Sequence, residues 1–220
     1  MTQVVRSEFI LGGQKSGKSR RAETLAQLWL AEGQRQSALL IATAQAFDDE
    51  MRLRIERHRQ DRLVRVPGMK VIEEPLALAS TIKAHSQPNT LIVVDCLTLW
   101  LTAQLMPPEA SLAPVPETHQ ADDLDQAITG VPTTSSLSLR NNFCTTSWQT
   151  LASDLCSAIA QARGPLVLIG NEIGLGVIPL GQEVRAFVDA LGLLNQMVAA
   201  TCERVTLMCA GLPLTLKGSV

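Results

Sequence analysis

An α/β domain built on a mostly parallel sheet flanked by helices is the fold class this sequence predicts, and three observations carry the prediction. Short apolar runs alternate along the chain with segments of helical period. Several of the runs are apolar throughout, as strands covered on both faces must be. With 220 residues, 46% of them hydrophobic and 18% charged, the chain can bury a large core and is not disordered as a whole.

In order, Phe9-Ile10-Leu11 is a strand that stops at Gly12-Gly13. From Lys18 to Glu32 the residues Ala22, Leu25, Ala26, Trp29 and Leu30 fall on one helical face. Ala38 to Ala42 is a second buried strand. The acids Asp48-Asp49-Glu50 suit the first turn of a highly charged helix that continues through Met51, Ile55 and His58. Val71-Ile72 is a brief strand, Pro75 to Ala84 a helix opened by proline, and Thr90 to Val94 an apolar strand ending at Asp95. A helical segment runs from Cys96 to Leu105. Trp148 to Ala162 is a helix, Pro165 to Ile169 a strand, Glu183 to Thr201 a long helix, and Arg204 to Cys209 the last apolar strand. Between Met106 and Ser147 the prolines at 107, 108, 114, 116 and 132 and the Ser/Thr cluster from Thr133 to Ser138 break any period. The expectation is one domain over 1–220 with a flexible insertion at 106–147; insertions of this length serve as lids, binding loops or disordered segments.

Composition narrows the function. Nineteen Lys+Arg against twenty-one Asp+Glu leave a net charge of -2; with a pI near 5.9 there is no positive field to attract a polyanion. Aromatic content of 3% with no tyrosine offers few stacking platforms, so a nucleic-acid partner is not expected. Five cysteines, odd in number and widely spaced, fit packed thiols in a reducing compartment. Met1 to Glu8 carries no export signal, and no apolar stretch is long enough for a membrane span. The expected location is the cytoplasm.

Gly12-Gly13-Gln14-Lys15-Ser16-Gly17-Lys18-Ser19 has the spacing of a phosphate-binding loop, glycine, four residues, then Gly-Lys-Ser, between a strand and a helix. Glycines let successive N–H groups point at phosphate oxygens, the helix N-terminus adds its positive end, Lys18 reaches the outer phosphates and Ser19 can ligate Mg²⁺. The bland alternative is a glycine-rich turn with a chance lysine, which the flanking strand and helix argue against. The α/β fold is therefore P-loop NTPase-like, with a RecA-like sheet. Asp95 ends a buried strand, where P-loop proteins keep a carboxylate for Mg²⁺ or its water; it serves equally well as an N-cap for the segment that follows. His58 lies among Arg54, Arg57, Arg59 and Arg62, where a neutral imidazole can attack phosphorus, but local sequence favours an exposed histidine on a solvated helix face. Asn171-Glu172-Ile173-Gly174 follows a strand's carboxyl end, where open α/β sheets bind ligands, and Glu172 is its candidate residue; an ordinary flexible loop reads as well. Arg185, Asp189, Asn195 and Gln196 punctuate an amphipathic helix, and nothing gives His85 or His119 a role.

Taken together, Gly12 to Arg20, Ala42-Thr43-Ala44, Asp48 to Met51 with Arg54-Ile55 and His58-Arg59, Glu73-Glu74-Pro75, Asp95-Cys96-Leu97-Thr98, Asn171 to Gly174 and Leu194-Asn195-Gln196 resemble, in the same order, the adenosylcobinamide kinase/adenosylcobinamide-phosphate guanylyltransferase family. The resemblance runs from about Phe9 to Lys217 apart from the insertion. It implies phosphorylation of the aminopropanol hydroxyl of adenosylcobinamide with ATP or GTP, then transfer of GMP from GTP to give adenosylcobinamide-GDP, in late cobalamin assembly. It implies that His58 is the guanylylated nucleophile, reversing the local preference, with Lys18 as the second catalytic residue. It implies nucleotide contacts at Gly12, Gly13, Gln14, Lys15, Ser16, Gly17, Lys18, Ser19, Ala42, Thr43, Ala44, Arg59, Gln60, Asp61, Arg62, Glu73 and Asp95, Mg²⁺ on Ser19 and Asp95, a corrinoid substrate and a homotrimer. The chain departs from the family's pattern at Leu193 and Val188, where arginine is common, and near Val66, where a tryptophan is missing. A plain P-loop small-molecule kinase, without nucleotidyl transfer, is the competing expectation, and a nucleotide-dependent switch is a third.

Overall fold

The computed structural model describes residues 3–46, 49–106 and 147–218, apart from the side chains of Met51, Arg54, His58, Arg59 and Leu63; most of the expected insertion, 107–146, lies outside the described residues. Seven strands form one sheet: β1 (Ser7–Gly12), β2 (Ser37–Ala42), β3 (Lys70–Glu73), β4 (Thr90–Asp95), β5 (Leu166–Ile169), β6 (Arg204–Cys209) and β7 (Leu212–Lys217). Their spatial order is β3-β2-β4-β5-β1-β6-β7, parallel at every pairing except β6 with β7. Six helices accompany it: α1 (Lys18–Ala31), α2 (Asp49–Arg65), α3 (Leu78–His85), α4 (Leu97–Leu105), α5 (Trp148–Ala160) and α6 (Gln182–Thr201).

The uniformly apolar strands are explained by two cores, one on each face. Phe9, Ile41, Ile92, Val94 and Leu168 point into a core closed by α3, α4, α5 and α6. Ile10, Leu40, Val93, Val167 and Ile169 point the other way, onto Ala22, Leu25 and Ala26 of α1. Alternate residues serve opposite layers, so no strand position in the centre tolerates a polar side chain without a partner. None of the described helices is long and apolar enough to cross a membrane.

Two expectations are corrected. Arg204–Cys209 is not the last strand: a turn at Ala210-Gly211, with φ of 51° and 82°, sends the chain back as β7 against β6. Positive φ at both central residues is what a two-residue hairpin turn needs. The helix expected from Pro75 begins instead at Leu78, because the Glu74 carboxylate accepts hydrogen bonds from the Leu76 and Ala77 N–H groups (2.9 and 2.7 Å) and holds that stretch as a turn. On either side of 107–146, the Met106 N–H closes α4 on the Thr102 carbonyl, and Ser147 caps α5 by accepting from the Gln149 N–H.

A buried ion network ties β1 to α1 and β6. Glu8, 1% exposed on β1, accepts from Arg21 Nε of α1 at 2.7 Å and from Thr206 Oγ1 at 2.8 Å, and its second oxygen faces Arg204 Nη1 at 3.5 Å. Removing the acid strands a buried guanidinium, so Glu8→Ala is expected to cost about 3–5 kcal/mol. In thermal unfolding this reads as a fall of Tm on the order of 10 °C. A Tm within about 2 °C of the parent would show that the network is not stabilising.

Candidate functional site

Strand register brings the site together. Ala42 lies beside Asp95, Asp95 beside Ile169, Ile169 beside Ile10, and Gly12 beside Met208, so the carboxyl ends of β2, β4, β5 and β1 open onto one edge. Ligands of open α/β sheets bind at such an edge. A cavity of about 890 Å³ lies there, in the size range of ligand pockets.

The loop from Gly12 to Lys18 is shaped by glycine. Gly12 has φ 153°, and a Cβ there would sit 2.5 Å from the Met208 carbonyl oxygen and 2.6 Å from Ser16 Oγ. Gly17, at φ 100°, occupies the N-cap position of α1, where no side chain caps the helix. The first-turn amides of α1 therefore face the cavity without a side-chain acceptor, as an anion site requires. The β6–β7 turn buttresses the loop: the Gly211 N–H donates to the Ser16 carbonyl at 3.1 Å, and a Cβ on Gly17 would meet Gly211 Cα at 3.3 Å. Lys18 Nζ donates to the carbonyls of Gly12 (3.0 Å) and Gly13 (2.6 Å). Burial pushes its ammonium below the ordinary lysine value, against the opposing influence of Cys96 and Asp95.

Asp95 does not cap α4. Cys96 holds the N-cap position, and the Asp95 carboxylate instead accepts from Ser19 Oγ at 3.2 Å and lies 3.9 Å from Arg62 Nη2 of α2. The end of β4 is held by Thr43, whose Oγ1 donates to the Cys96 carbonyl (2.7 Å) and accepts from the Cys96 N–H (2.9 Å). Arg65 of α2 reaches Glu23 of α1 at 3.1 Å, tying the charged helix to the one that follows the loop.

The residues singled out from sequence are placed as follows. Gln14, Lys15, Ser16, Gly17, Lys18 and Ser19 line the cavity, and so do Ala42, Ala44, Asp61, Arg62, Glu73 and Asp95. Gly12 and Gly13 are not in the cavity wall but accept from Lys18 within the loop, and Thr43, 1% exposed, is a brace beneath the floor. Gln60 is exposed and pairs with Glu56 at 3.2 Å, outside the wall. His58 and Arg59 are carried by α2, and their side chains are outside the described residues. In the loop after β5 the cavity residue is Asn171, whereas the Glu172 carboxylate accepts from its own neighbour, the Gly174 N–H, at 2.7 Å. Sequence reasoning also missed Glu23, Arg65 and Cys96 in the wall. A helical period placing Glu23 one turn beyond Ser19 was the available signal for the first.

Two thiols are chemically quiet. Burial, with Asp95 adding to it, pushes Cys96 up to about 11, and burial pushes Cys202 up to about 12, from an ordinary 9.0. With a maleimide at pH 8, peptide mapping is expected to find exposed Cys209 labelled and Cys96 and Cys202 unlabelled in the folded protein. Rapid labelling of Cys96 would show that the cavity floor is open to thiol reagents.

Comparison with known proteins agrees with this geometry. The family model for cobinamide kinase / cobinamide phosphate guanyltransferase matches residues 8–216. The chain is 39% identical to the bifunctional adenosylcobalamin biosynthesis protein CobP of Pseudomonas aeruginosa, covering 96% of this chain and 97% of that one. It is 31% identical to the bifunctional adenosylcobalamin biosynthesis protein CobU of Escherichia coli, covering 95% and 98%. A solved structure from Pyrococcus horikoshii OT3 shares the fold at a TM-score of 0.51 and 5% identity, covering 100% of this chain and 89% of that one.

Proposed function

The chain belongs to the cobinamide kinase / cobinamide phosphate guanyltransferase family, and on that premise we infer that it phosphorylates the aminopropanol hydroxyl of adenosylcobinamide with ATP or GTP and transfers GMP from GTP to the resulting phosphate. The observation that carries the reading is the cavity in which Lys18, Ser19 and Asp95 converge at the mouth of an uncapped helix. Lys18 would exchange its two carbonyl acceptors for phosphate oxygens. The first-turn amides of α1 would hold the rest of the triphosphate chain. Ser19 Oγ and Asp95 Oδ2, hard oxygen donors 3.2 Å apart, fit Mg²⁺ and would be the residues that hold it. When bound there, the ion neutralises charge on the phosphate oxygens. Arg62 stands within reach of the same charge, and Ala42, Ala44, Asp61 and Glu73, with Arg59 from α2, complete the proposed nucleotide contacts, whereas Thr43 beneath the floor and Gln60 outside the wall are not among them.

His58 is the proposed nucleophile. An imidazole nitrogen attacks the α-phosphorus of GTP, a P–N bond forms, the bond to pyrophosphate breaks, and the substrate phosphate oxygen then displaces the imidazole to give adenosylcobinamide-GDP. The free thiols of Cys96, Cys156, Cys202 and Cys209 fit the reducing cytoplasm. A homotrimer is the proposed assembly, with exposed apolar Leu175, Val177 and Leu180 as surface available to it.

Incubation with adenosylcobinamide, Mg²⁺ and ATP, followed by GTP, tests the reading by product mass. The phosphate ester should appear first and the GDP derivative second. The ester alone would leave a plain kinase; nucleotide binding with neither product would favour a switch.

A further inference from the structure

We propose that Asn171 contacts the outermost phosphate of the bound nucleoside triphosphate and that Thr98 and Asn195 position it, an inference that rests on the nucleotide-site reading above. β5 lies between β1, which leads into the glycine loop, and β4, which ends in Asp95. Ile169 pairs with Ile10 on one side and Asp95 on the other, so the chain leaving β5 emerges between the loop and the carboxylate. Asn171, two residues on, lines the same cavity as Lys18 and Ser19.

Its backbone is fixed at every polar atom. The Asn171 N–H donates to Thr98 Oγ1 of α4 at 2.8 Å, and its carbonyl accepts from Asn195 Nδ2 of α6 at 3.1 Å. The preceding Gly170 N–H donates to the Ile10 carbonyl at 3.0 Å. The following Glu172 N–H donates at 3.2 Å to the Gly12 carbonyl, the same oxygen that receives Lys18 Nζ. Gly170 admits no side chain, since a Cβ would come within 2.9 Å of the Phe9 ring. In contrast, the Asn171 side-chain amide has no hydrogen-bond partner among the described residues.

Thr98 and Asn195 are themselves buried, 8% and 6% exposed, and Asn195 Oδ1 is left without a partner. Asn195 therefore spends its amide N–H on the Asn171 carbonyl while its Oδ1 stays unpaired, a buried unsatisfied group of the kind that marks a site held for a purpose. The pattern is a locked main chain presenting one free polar group into a cavity, the preorganisation expected of a ligand contact. An amide suits a terminal phosphate: its two N–H donors bond the oxygens without adding charge beside Lys18.

The test is binding of α,β-methylene GTP, which resists transfer at the α-phosphorus, against GDP, both with Mg²⁺. Asn171→Ala is expected to weaken the triphosphate analogue by roughly 10- to 100-fold, the range for a hydrogen bond to a charged group, while GDP changes by less than about twofold. Asn171→Asp should weaken the analogue further, because a carboxylate repels the phosphate. Thr98→Val should lower the same discrimination and Thr98→Ser should restore it, which a merely structural role would not produce. Equal losses for both nucleotides, or none, would overturn the proposal; if Asn171→Ala unfolds, the Thr98 pair decides. Failure to make corrinoid products by the parent enzyme would overturn the function reading alone, since the binding ratio is read without turnover.

Discussion

Lys18→Ala is expected to lower both phosphoryl and guanylyl transfer by about 10³-fold, the upper range for removing one preorganised charge donor. The effect is large because Lys18 is a loop cation that the structure already buries and aims. Its Nζ sits 3.0 Å from the Gly12 carbonyl and 2.6 Å from the Gly13 carbonyl. Those acceptors hold an ammonium at the loop's centre, and a phosphate oxygen, which carries full negative charge, replaces them at little cost in geometry. Lys18→Arg should not rescue activity: a planar guanidinium is too broad for two carbonyls one residue apart in a loop whose Gly12 admits no Cβ. The fold should survive, since Lys18 belongs to neither apolar cluster and the carbonyls it leaves keep backbone donors, the Glu172 N–H on Gly12 at 3.2 Å and the Ser16 N–H on Gly13 at 3.4 Å. Steady-state rates with each nucleotide, beside thermal unfolding, check the claim. Retention of either activity within about tenfold would remove Lys18 from the reacting end of the triphosphate.

The glycine loop was legible in the sequence because its chemistry is local: eight consecutive residues carry the turn, the amides, the ammonium and the hydroxyl. The parallel sheet was legible because uniformly apolar strands have one explanation. What escaped depends on partners far along the chain. Asp95 reads equally as a helix cap until Ser19, 76 residues away, supplies its hydrogen bond. Thr43 sits between two residues that line the cavity, and only its pairing with Cys96 shows it to be a brace. The loop after β5 drew attention to its charged residue, yet the Glu172 carboxylate is consumed by the N–H of Gly174, and the neutral Asn171 faces the cavity. β7 was missed because Ala210-Gly211 is a weak hairpin signal beside Asn-Gly or Asp-Gly, although it fixes the strand that steadies the loop through Gly211.

His58→Ala is expected to abolish the covalent nucleotidyl-enzyme while leaving ATP-dependent phosphorylation of adenosylcobinamide within about threefold, because only the first of these steps needs a protein nucleophile. The two transfers place different demands on one cavity. In the proposed phosphoryl transfer the substrate hydroxyl would attack the γ-phosphorus directly, with positioning and charge neutralisation falling to Lys18 and the loop amides. In guanylyl transfer the acceptor is already a phosphate, an anion that approaches another anion poorly, so the proposed imidazole, uncharged as the first nucleophile, would divide the reaction into two easier displacements. Such a nucleophile must come from an element that borders the phosphates. The helix α2 does so: its Asp61 and Arg62 line the cavity, and Arg62 lies 3.9 Å from Asp95. The same helix is anchored to α1 through Arg65 and Glu23, which keeps its last turn against α1 while the preceding turns carry His58. Intact mass of the denatured protein after GTP and Mg²⁺ reads the outcome: one added GMP on the parent and none on His58→Ala or His58→Asn. An adduct that persists on both variants would place the nucleophile elsewhere. Loss of the kinase step along with the adduct would mean that His58 serves the shared phosphate site rather than the covalent one.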